Sequence, residues 1–294
     1  MFLDFSKRVA EQQEALGSAL CVGLDPNSKK IPRKYLGGTL LTEAVVRWMI
    51  DVVDLTAPYT TVFKLNLAYY ENLDVDGMRV LVRILKYIRE YYPEIPVILD
   101  GKRGDIDRTQ AQYREALFGC YGAGSTTISP YMGREPLVAM YDPAHPERGL
   151  ITLIYTSNKG AREVQDVTVV HPLSCLMMPY WLYIADRSLA WAKAAGIQNL
   201  NFVMAAAYDR DGEIYSEHLR GCREFDQGRI PYLVPGFGAQ GGFVEATIQA
   251  GWNGWGSLML SASSSISEAA NPGEAARDLS EQITRAITLK SRFV

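Results

Sequence analysis

Eight short apolar segments alternate with longer amphipathic segments along this 294-residue chain. The short segments are mostly near-continuous runs of apolar and β-branched residues, as expected of parallel strands that are covered on both faces. The longer segments repeat apolar residues at helical spacing, which predicts helices that pack one face against a sheet. The predicted strands span residues 19–25, 61–66, 96–100, 126–129, 150–156, 200–206, 230–234 and 256–261.

The helical patterns fall between these strands and complete a repeating unit. Strand–helix alternation indicates parallel βαβ units, and eight such units in a chain of this length predict an α/β fold, the (β/α)8 TIM barrel. No linker or low-complexity tract divides the chain, so we expect one barrel domain over residues 1–294, with an N-terminal helix (about 2–17) before the first strand. The other predicted helices span residues 42–57, 76–92, 107–121, 174–195, 213–225, 242–250 and 273–289.

Charge and composition exclude several classes of protein. The 30 Lys and Arg against 33 Asp and Glu give a net charge of −3, which predicts neither nucleic-acid nor anionic-membrane binding. No apolar run reaches the roughly 18 residues of a membrane helix. The histidines and cysteines are scattered and lack metal-ligand spacing, so we expect no metal, and reduced thiols in a cytoplasmic protein. The cysteines are Cys21, Cys120, Cys175 and Cys222.

Charged side chains stand at the ends of two neighbouring predicted strands, where a TIM barrel carries its active site. Residues two apart in a strand point to the same side, so Asp100 and Lys102 are expected to project together. Lys64 approaches from the second strand, and Asp105 can return from the following loop. The pattern predicts an alternating row, Lys64–Asp100–Lys102–Asp105, in which carboxylates keep each lysine cationic. A structural ion-pair network with Asp105 as a helix N-cap is the alternative.

Three further segments at strand ends are candidate binding sites. After the seventh strand, the glycine-rich run around Gly238, Gln240 and Gly241 leaves backbone N–H groups free for an anion, unless it is only a flexible turn. Asp25 ends the first strand and could accept a sugar hydroxyl or cap the turn before Pro26. Ser157 follows the fifth strand and either bonds a heterocycle edge or is a turn residue.

These segments, in this order and spacing, resemble the orotidine 5′-phosphate decarboxylase family, specifically its longer-chain subgroup. The D-x-K-R-G-D-I segment together with PGFGAQGG is the most specific part of the match. The matching segments are VGLDP (22–26), FKLNLAYYE (63–71), VILDGKRGDIDRT (97–109), SPYMG (129–133), TSN (156–158) and LVPGFGAQGG (233–242).

The resemblance implies a cofactor-independent decarboxylation that produces uridine 5′-monophosphate through a C6 carbanion. Lys102 would be the proton donor to C6, with Asp100 against the substrate carboxylate. Lys64 and Asp25 would contact the ribose, and Ser157 the pyrimidine. The uncatalysed reaction is very slow, and the protein would have to stabilise the carbanion electrostatically.

The resemblance also implies a phosphate site and a homodimer. Gln240 and the glycines around it, Gly238 and Gly241, would hold the 5′-phosphate of a small-molecule nucleotide. Asp105, Ile106 and Thr109 would reach into the site of the neighbouring subunit.

The chain departs from the family pattern at three places, two of them on the phosphate side. Ser264 stands where an arginine is expected, and residues 205–209 read AAAYD instead of G-A-T-x-P. Gly101 replaces the usual alanine between Asp100 and Lys102. We therefore keep three alternatives open: a paralogue that takes a non-phosphorylated or differently 5′-substituted nucleoside, an enzyme that uses the same cluster on another substrate, and a non-catalytic nucleotide-binding homologue. Candidates for a substitute cation are Arg134, Arg210 and Arg229.

Overall fold

The computed structural model describes residues 4–38, 40–237 and 242–291. Eight parallel strands close into a barrel, so the predicted (β/α)8 architecture is confirmed, and each predicted strand segment overlaps one of them. Going round the barrel, the strands are β1 (Leu20–Gly23), β2 (Val62–Asn66), β3 (Val97–Arg103), β4 (Ser125–Ile128), β5 (Gly149–Leu153), β8 (Leu200–Val203), β11 (Tyr232–Pro235) and β12 (Leu258–Ala262).

Two short antiparallel hairpins lie outside the barrel. They pair β6 (Thr168–Val170) with β7 (Met177–Pro179), and β9 (Tyr208–Arg210) with β10 (Glu213–Tyr215). The helices are α1 (Phe5–Leu16), α2 (Leu41–Thr56), α3 (Leu67–Glu71), α4 (Asp74–Tyr91), α5 (Asp107–Arg114), α6 (Glu135–Met140), α7 (Ala161–Val164), α8 (Tyr180–Ala195), α9 (Glu217–Asp226), α10 (Val244–Gly251), α11 (Ser264–Ser267) and α12 (Pro272–Ser291). Single turns of 3-10 helix span Arg33–Tyr35 and Ala57–Tyr59, and a π-helical turn, Glu115–Cys120, follows α5.

The hairpins correct the predicted starts of two helices. The helix expected over 174–195 begins only at Tyr180, because Pro179 lacks the N–H that a helix interior needs and instead ends a strand. The helix expected over 213–225 begins at Glu217. The residues before it form the hairpin of β9 and β10. Asp211 and Gly212, with positive φ values of 58° and 90°, make the tight turn between these strands.

The N-terminal helix closes the barrel at the end opposite to the strand carboxyl ends. Asp4 caps α1 by accepting from the Ser6 backbone N–H, and Gly17 ends it in the left-handed conformation. Phe5 and Val9 pack against apolar side chains that fill the barrel interior, from Cys21 on β1 to Met259 on β12. This end is therefore plugged, and the other end is free to hold a site. Within the described residues, no helix combines the length and apolar character needed to cross a membrane.

Candidate active site

A cavity of about 650 Å³ opens at the carboxyl ends of the barrel strands. Charged and polar side chains from β2, β3, β4 and the segment just after β1 form one wall, and apolar side chains from β5, β8 and β11 face them. The loops after β5, β11 and β12 complete the rim. The charged wall consists of Asp25, Lys64, Asp100 and Lys102, and the apolar residues include Leu153, Val203, Leu233 and Phe237.

Four charges of alternating sign form the charged wall. Lys64 Nζ lies 3.5 Å from Asp25 Oδ2 and 3.5 Å from Asp100 Oδ2, and Lys102 Nζ lies 2.7 Å from Asp100 Oδ1. The Lys64 side chain is 6% exposed, whereas that of Lys102 is 48% exposed. Lys64 is therefore an internal member of the row, and the Lys102 ammonium is the end that a ligand can reach.

The pairing keeps the interior charges ionised. Burial opposes the charged form of Lys64, but the carboxylates of Asp25 and Asp100 outweigh it and raise its pKa above the ordinary value. Burial likewise opposes ionisation of Asp100. The two lysines and the hydrogen bonds from Lys102 and Thr127 outweigh that effect and lower the pKa of Asp100. At neutral pH Lys64 is therefore a cation and Asp100 an anion.

The backbone around Lys102 differs from the extended strand that the sequence suggested. Lys102 has a φ of 46°, in the left-handed region that side chains other than glycine rarely adopt. The register between β3 and β4 shifts between Leu99 and Arg103. Asp100 and Lys102 do meet, but through this local bulge and not through simple strand alternation. An alanine Cβ at Gly101 would lie 3.0 Å from Leu67 Cδ1, so the site has little room for the side chain that is usual there.

Asp105 does not join the row within one chain, which corrects the predicted Lys102–Asp105 pair. Its carboxylate accepts from the Ile106 N–H at 2.7 Å, and its own N–H donates to Gln110 Oε1 at 3.1 Å. β3 ends at Arg103, so Asp105 lies on the loop that leads away to α5. Ile106 is the N-cap of α5, so Asp105 is not the cap that the alternative required. Ile106 and Thr109 are both exposed.

Asp25 takes the fourth place in the row instead. Its Oδ1 accepts from the Asn66 N–H at 2.9 Å, and its Oδ2 accepts from Ser263 Oγ at 2.6 Å. These bonds tie the ends of β1, β2 and β12 together and leave no role as a turn cap. Gly23 permits this close approach, because a Cβ there would lie 1.8 Å from Ser263 Oγ.

Ser157 lies on the cavity rim, in a loop that neighbouring side chains hold. Gln165 Oε1 accepts from the Thr156 N–H at 2.9 Å, and Gln165 Nε2 donates to Thr156 Oγ1 at 2.8 Å. Thr156 Oγ1 in turn donates to Asn158 Oδ1 at 2.7 Å. The segment 156–158 also borders a second cavity of about 800 Å³.

Three residues of the predicted phosphate site, Gly238, Gln240 and Gly241, lie outside the described residues. Ser264 does line the cavity, as the first residue of α11. Among the described lining residues, the cations are Lys64 and Lys102, and each forms an ion pair with a carboxylate of the charged wall.

None of the three proposed substitute arginines lines the cavity. Arg134 pairs with its neighbour Glu135, and Arg210 Nη2 lies 3.4 Å from Asp166 Oδ2. Arg229 precedes β11, at the opposite end of the barrel, where its Nε donates to the Asp226 carbonyl at 2.9 Å. Other cations, Lys159 and Arg162, border the second cavity, and Arg162 pairs there with Asp211 at 3.5 Å.

Sequence reasoning missed two polar residues of the site, Thr127 and Ser263. Both hydroxyls bond to carboxylates of the charged row, at Asp100 and Asp25 respectively. Both lie at or just after the carboxyl end of a barrel strand, which was the signal that could have indicated them. Across the residues that the structure covers, no cluster of three or more His, Cys, Asp or Glu side chains could hold a metal ion.

Comparisons with known proteins agree with this architecture. A family model for the orotidine 5′-phosphate decarboxylase / HUMPS family matches residues 18–279. An orotidine 5′-phosphate decarboxylase of Bordetella pertussis is 34% identical over 297 aligned positions, which cover 97% of this chain and 100% of that protein. The enzyme of the same name from Ralstonia nicotianae is 34% identical over 257 positions, with 87% and 86% coverage.

Solved structures of the same kind have similar folds. An OMP decarboxylase of Leishmania donovani superposes with a TM-score of 0.78 at 26% identity, covering 97% of this chain and 99% of that one. A UMP synthase from the same organism gives a TM-score of 0.80 at 29% identity, and there the match covers 97% of this chain but 57% of the synthase. From the family match over residues 18–279, and from relatives matched over nearly their full length, it follows that the chain belongs to the orotidine 5′-phosphate decarboxylase / HUMPS family.

Proposed function

We propose that this protein is a carboxy-lyase that converts orotidine 5′-phosphate to uridine 5′-monophosphate and CO2. The observation that carries the proposal is the charged row at the cavity wall, in a chain that belongs to this family. Lys64 and Asp100 stay ionised in its interior, and the row ends in Lys102, whose side chain lines the cavity.

The reaction leaves a localised charge that this row is suited to stabilise. When the C6–carboxyl bond breaks, the electron pair stays on C6 in the plane of the ring, and CO2 leaves. Lys102 Nζ then donates a proton to C6, and solvent restores the proton to the amine. A fixed ammonium at the developing anion stabilises the transition state, because the protein dipoles and charges need not reorganise during the reaction.

Asp100 would contribute by its position beside the substrate carboxylate. Lys64 and Lys102 hold it in the anionic form, so two negative groups would face each other before the reaction. Departure of CO2 would relieve that repulsion. Binding energy from the remote parts of the nucleotide would offset the cost of assembling this arrangement.

The remaining contacts follow from the order of residues around the rim. Asp25 and Lys64 lie at the ends of β1 and β2, where ribose hydroxyls could bond to them. Ser157, across the cavity, would contact the pyrimidine edge. The 5′-phosphate would lie toward Ser264 and the glycine-rich segment around Gln240.

We also propose that the active form is a homodimer in which Asp105, Ile106 and Thr109 reach the neighbouring site. The Asp105 carboxylate has no ion pair with Lys102 of its own chain within the described ranges, and the Ile106 side chain is 44% exposed. A carboxylate from a second copy could extend the row beyond Lys102.

A direct test supplies orotidine 5′-phosphate and orotidine to the purified protein and follows loss of the orotate absorbance. We expect turnover with a preference for the phosphorylated substrate. Preference for the bare nucleoside would instead favour a paralogue with a different 5′ group, which is the alternative that Ser264 supports. Turnover of neither compound would contradict the proposed activity.

A further inference from the structure

The Thr127 hydroxyl connects the two charged residues at the end of β3. The Lys102 backbone N–H donates to Thr127 Oγ1 at 2.9 Å, and Thr127 Oγ1 donates to Asp100 Oδ1 at 2.8 Å. The direction of the second bond is fixed because an ionised carboxylate can only accept. The Lys102 ammonium donates to the same Oδ1 at 2.7 Å. Amide, hydroxyl, carboxylate and ammonium therefore form a closed ring.

Strand pairing explains why this hydroxyl is needed at this position. Leu99 pairs with Thr126, and Arg103 pairs with Ile128, so the three residues 100–102 of β3 face Thr127 alone. A bulge of this kind interrupts the ladder of backbone hydrogen bonds. Here the Thr127 side chain accepts the Lys102 N–H in place of a backbone carbonyl.

The same contact holds Lys102 in an unfavourable backbone conformation. With a φ of 46°, Lys102 lies in the left-handed region, which residues other than glycine occupy only where the surrounding structure holds them there. Thr127 is completely buried, so its hydroxyl has no competing contact with solvent. The direction in which the Lys102 side chain points therefore depends on the hydrogen bond from its backbone N–H to Thr127 Oγ1.

We propose that Thr127 is a positioning residue, whose hydroxyl fixes both the Asp100 carboxylate and the Lys102 backbone and so directs the Lys102 ammonium into the cavity. The kinetic part of its test rests on the proposed decarboxylation, and a spectroscopic part does not. Ser is the conservative replacement, because it keeps the hydroxyl, whereas Val keeps the shape and loses the hydroxyl.

Loss of the hydroxyl should also change the titration of Asp100. Lys64 faces this carboxylate from β2, Lys102 from β3 and Thr127 from β4, while the Cys21 thiol lies nearby on β1 and Asp25 just after that strand. Lys64, Lys102 and the Thr127 hydrogen bond all lower the pKa of Asp100, against the effect of burial. Removal of that hydrogen bond should therefore move the pKa upward.

The experiment compares Thr127→Val and Thr127→Ser with a matched control, Thr126→Val. Thr126 is also fully buried, but its Oγ1 donates to the Leu99 carbonyl at 2.8 Å and contacts neither charged residue. With orotidine 5′-phosphate, we expect Thr127→Val to lower kcat about 10- to 100-fold, since it removes hydrogen bonds that involve charged groups. KM should change less than kcat, and the acid limb of the kcat profile should move to higher pH.

Thr127→Ser should recover most of the kcat and the original acid limb, and Thr126→Val should leave both unchanged. Equal losses in Thr127→Val and Thr126→Val would show a merely structural role and overturn the proposal. Thr127→Ala removes the same hydroxyl with less bulk and replaces the valine variant if that variant does not fold.

Titration of the Asp100 carboxyl carbon by NMR separates this proposal from the proposed activity. If the unaltered protein does not decarboxylate orotidine 5′-phosphate, the proposed function fails, but the titration still decides the role of Thr127. An Asp100 pKa that rises in Thr127→Val and returns in Thr127→Ser supports the positioning role. An unchanged pKa in Thr127→Val contradicts it.

Discussion

Replacement of Lys64 by methionine should lower the free energy of unfolding, because the buried charges of the row stabilise one another. Lys64 is 6% exposed and lies 3.5 Å from carboxylate oxygens of both Asp25 and Asp100. Lys64→Met keeps the length of the side chain and leaves these two buried anions without the charge between them. Removing one partner of a buried pair costs about 3–5 kcal/mol. We therefore expect the free energy of unfolding at pH 7.5 to fall by about that amount.

The loss of unfolding free energy in Lys64→Met should become smaller as the pH is lowered. The pKa shifts of Asp100 and Lys64 in the unaltered protein give the starting point. In the unaltered protein the folded pKa of Asp100 is lowered, so its contribution is complete above the unfolded value of roughly 4 and is lost only below it. The folded pKa of Lys64 is raised, so its contribution is complete below roughly 10.4. Neither group therefore changes the stability between pH 5 and 7.5.

In Lys64→Met the pKa of Asp100 should rise, because the nearby cation that lowers it is gone while burial still opposes ionisation. The destabilising effect of this carboxylate is present above its folded pKa and disappears as the pH falls through that value. Urea unfolding at pH 7.5 and pH 5, followed by circular dichroism, measures the difference. Lys34→Met is the matched control: Lys34 pairs with Asp51 at 3.7 Å in an exposed pair, worth about 0–1 kcal/mol. A loss below about 1 kcal/mol in Lys64→Met, or one equal at both pH values, would show that Lys64 does not compensate the buried carboxylates.

Two further predictions concern the phosphate end and the dimer. Ser264→Arg should lower the KM for orotidine 5′-phosphate about ten- to a hundredfold, because a charge-assisted hydrogen bond contributes about 1.5–3 kcal/mol. The KM for orotidine should not change. An unchanged KM for the nucleotide would mean that another group already binds the phosphate. The Lys102→Ala and Asp105→Asn variants should each be inactive alone. When equal amounts are mixed and subunits exchange at random, half of the dimers contain one subunit of each variant, and one of the two sites in such a dimer is intact. The mixture should therefore recover about a quarter of the activity. A mixture as inactive as its parents would contradict a shared site.

The barrel could be predicted from the sequence because its strands are buried on both faces. Runs such as Val97–Leu99 and Leu258–Leu260 must then be apolar without interruption, and the polar residues that follow them mark the mouth. The hairpin at Asp211–Gly212 was missed although Asp-Gly is a strong turn signal. The prediction that residues 1–294 form one domain stays a prediction.

The details of the site could not be read from local pattern alone. The row from Lys64 to Lys102 was predicted from charge spacing, and the structure forms it. Its geometry depends on the bulge at Lys102, which is a property of the pairing between β3 and β4. Ser263 reaches Asp25 across 238 residues of sequence, a contact that only closure of the barrel creates. The predicted Lys102–Asp105 pair ignored the end of β3 at Arg103.

The role of the charged row is tested most directly by the rate at which Lys102→Ala decarboxylates orotidine 5′-phosphate, measured beside the unaltered protein and a Lys34→Ala control. Lys34 is an exposed lysine outside the cavity, whereas Lys102 lines the cavity and its side chain is 48% exposed. We expect the unaltered protein and the Lys34→Ala control to turn over at the same rate. Lys102→Ala should retain its fold but lose at least 1,000-fold in kcat, or about 4 kcal/mol of transition-state stabilisation. A folded Lys102→Ala protein that decarboxylates the nucleotide at a comparable rate would contradict this expectation.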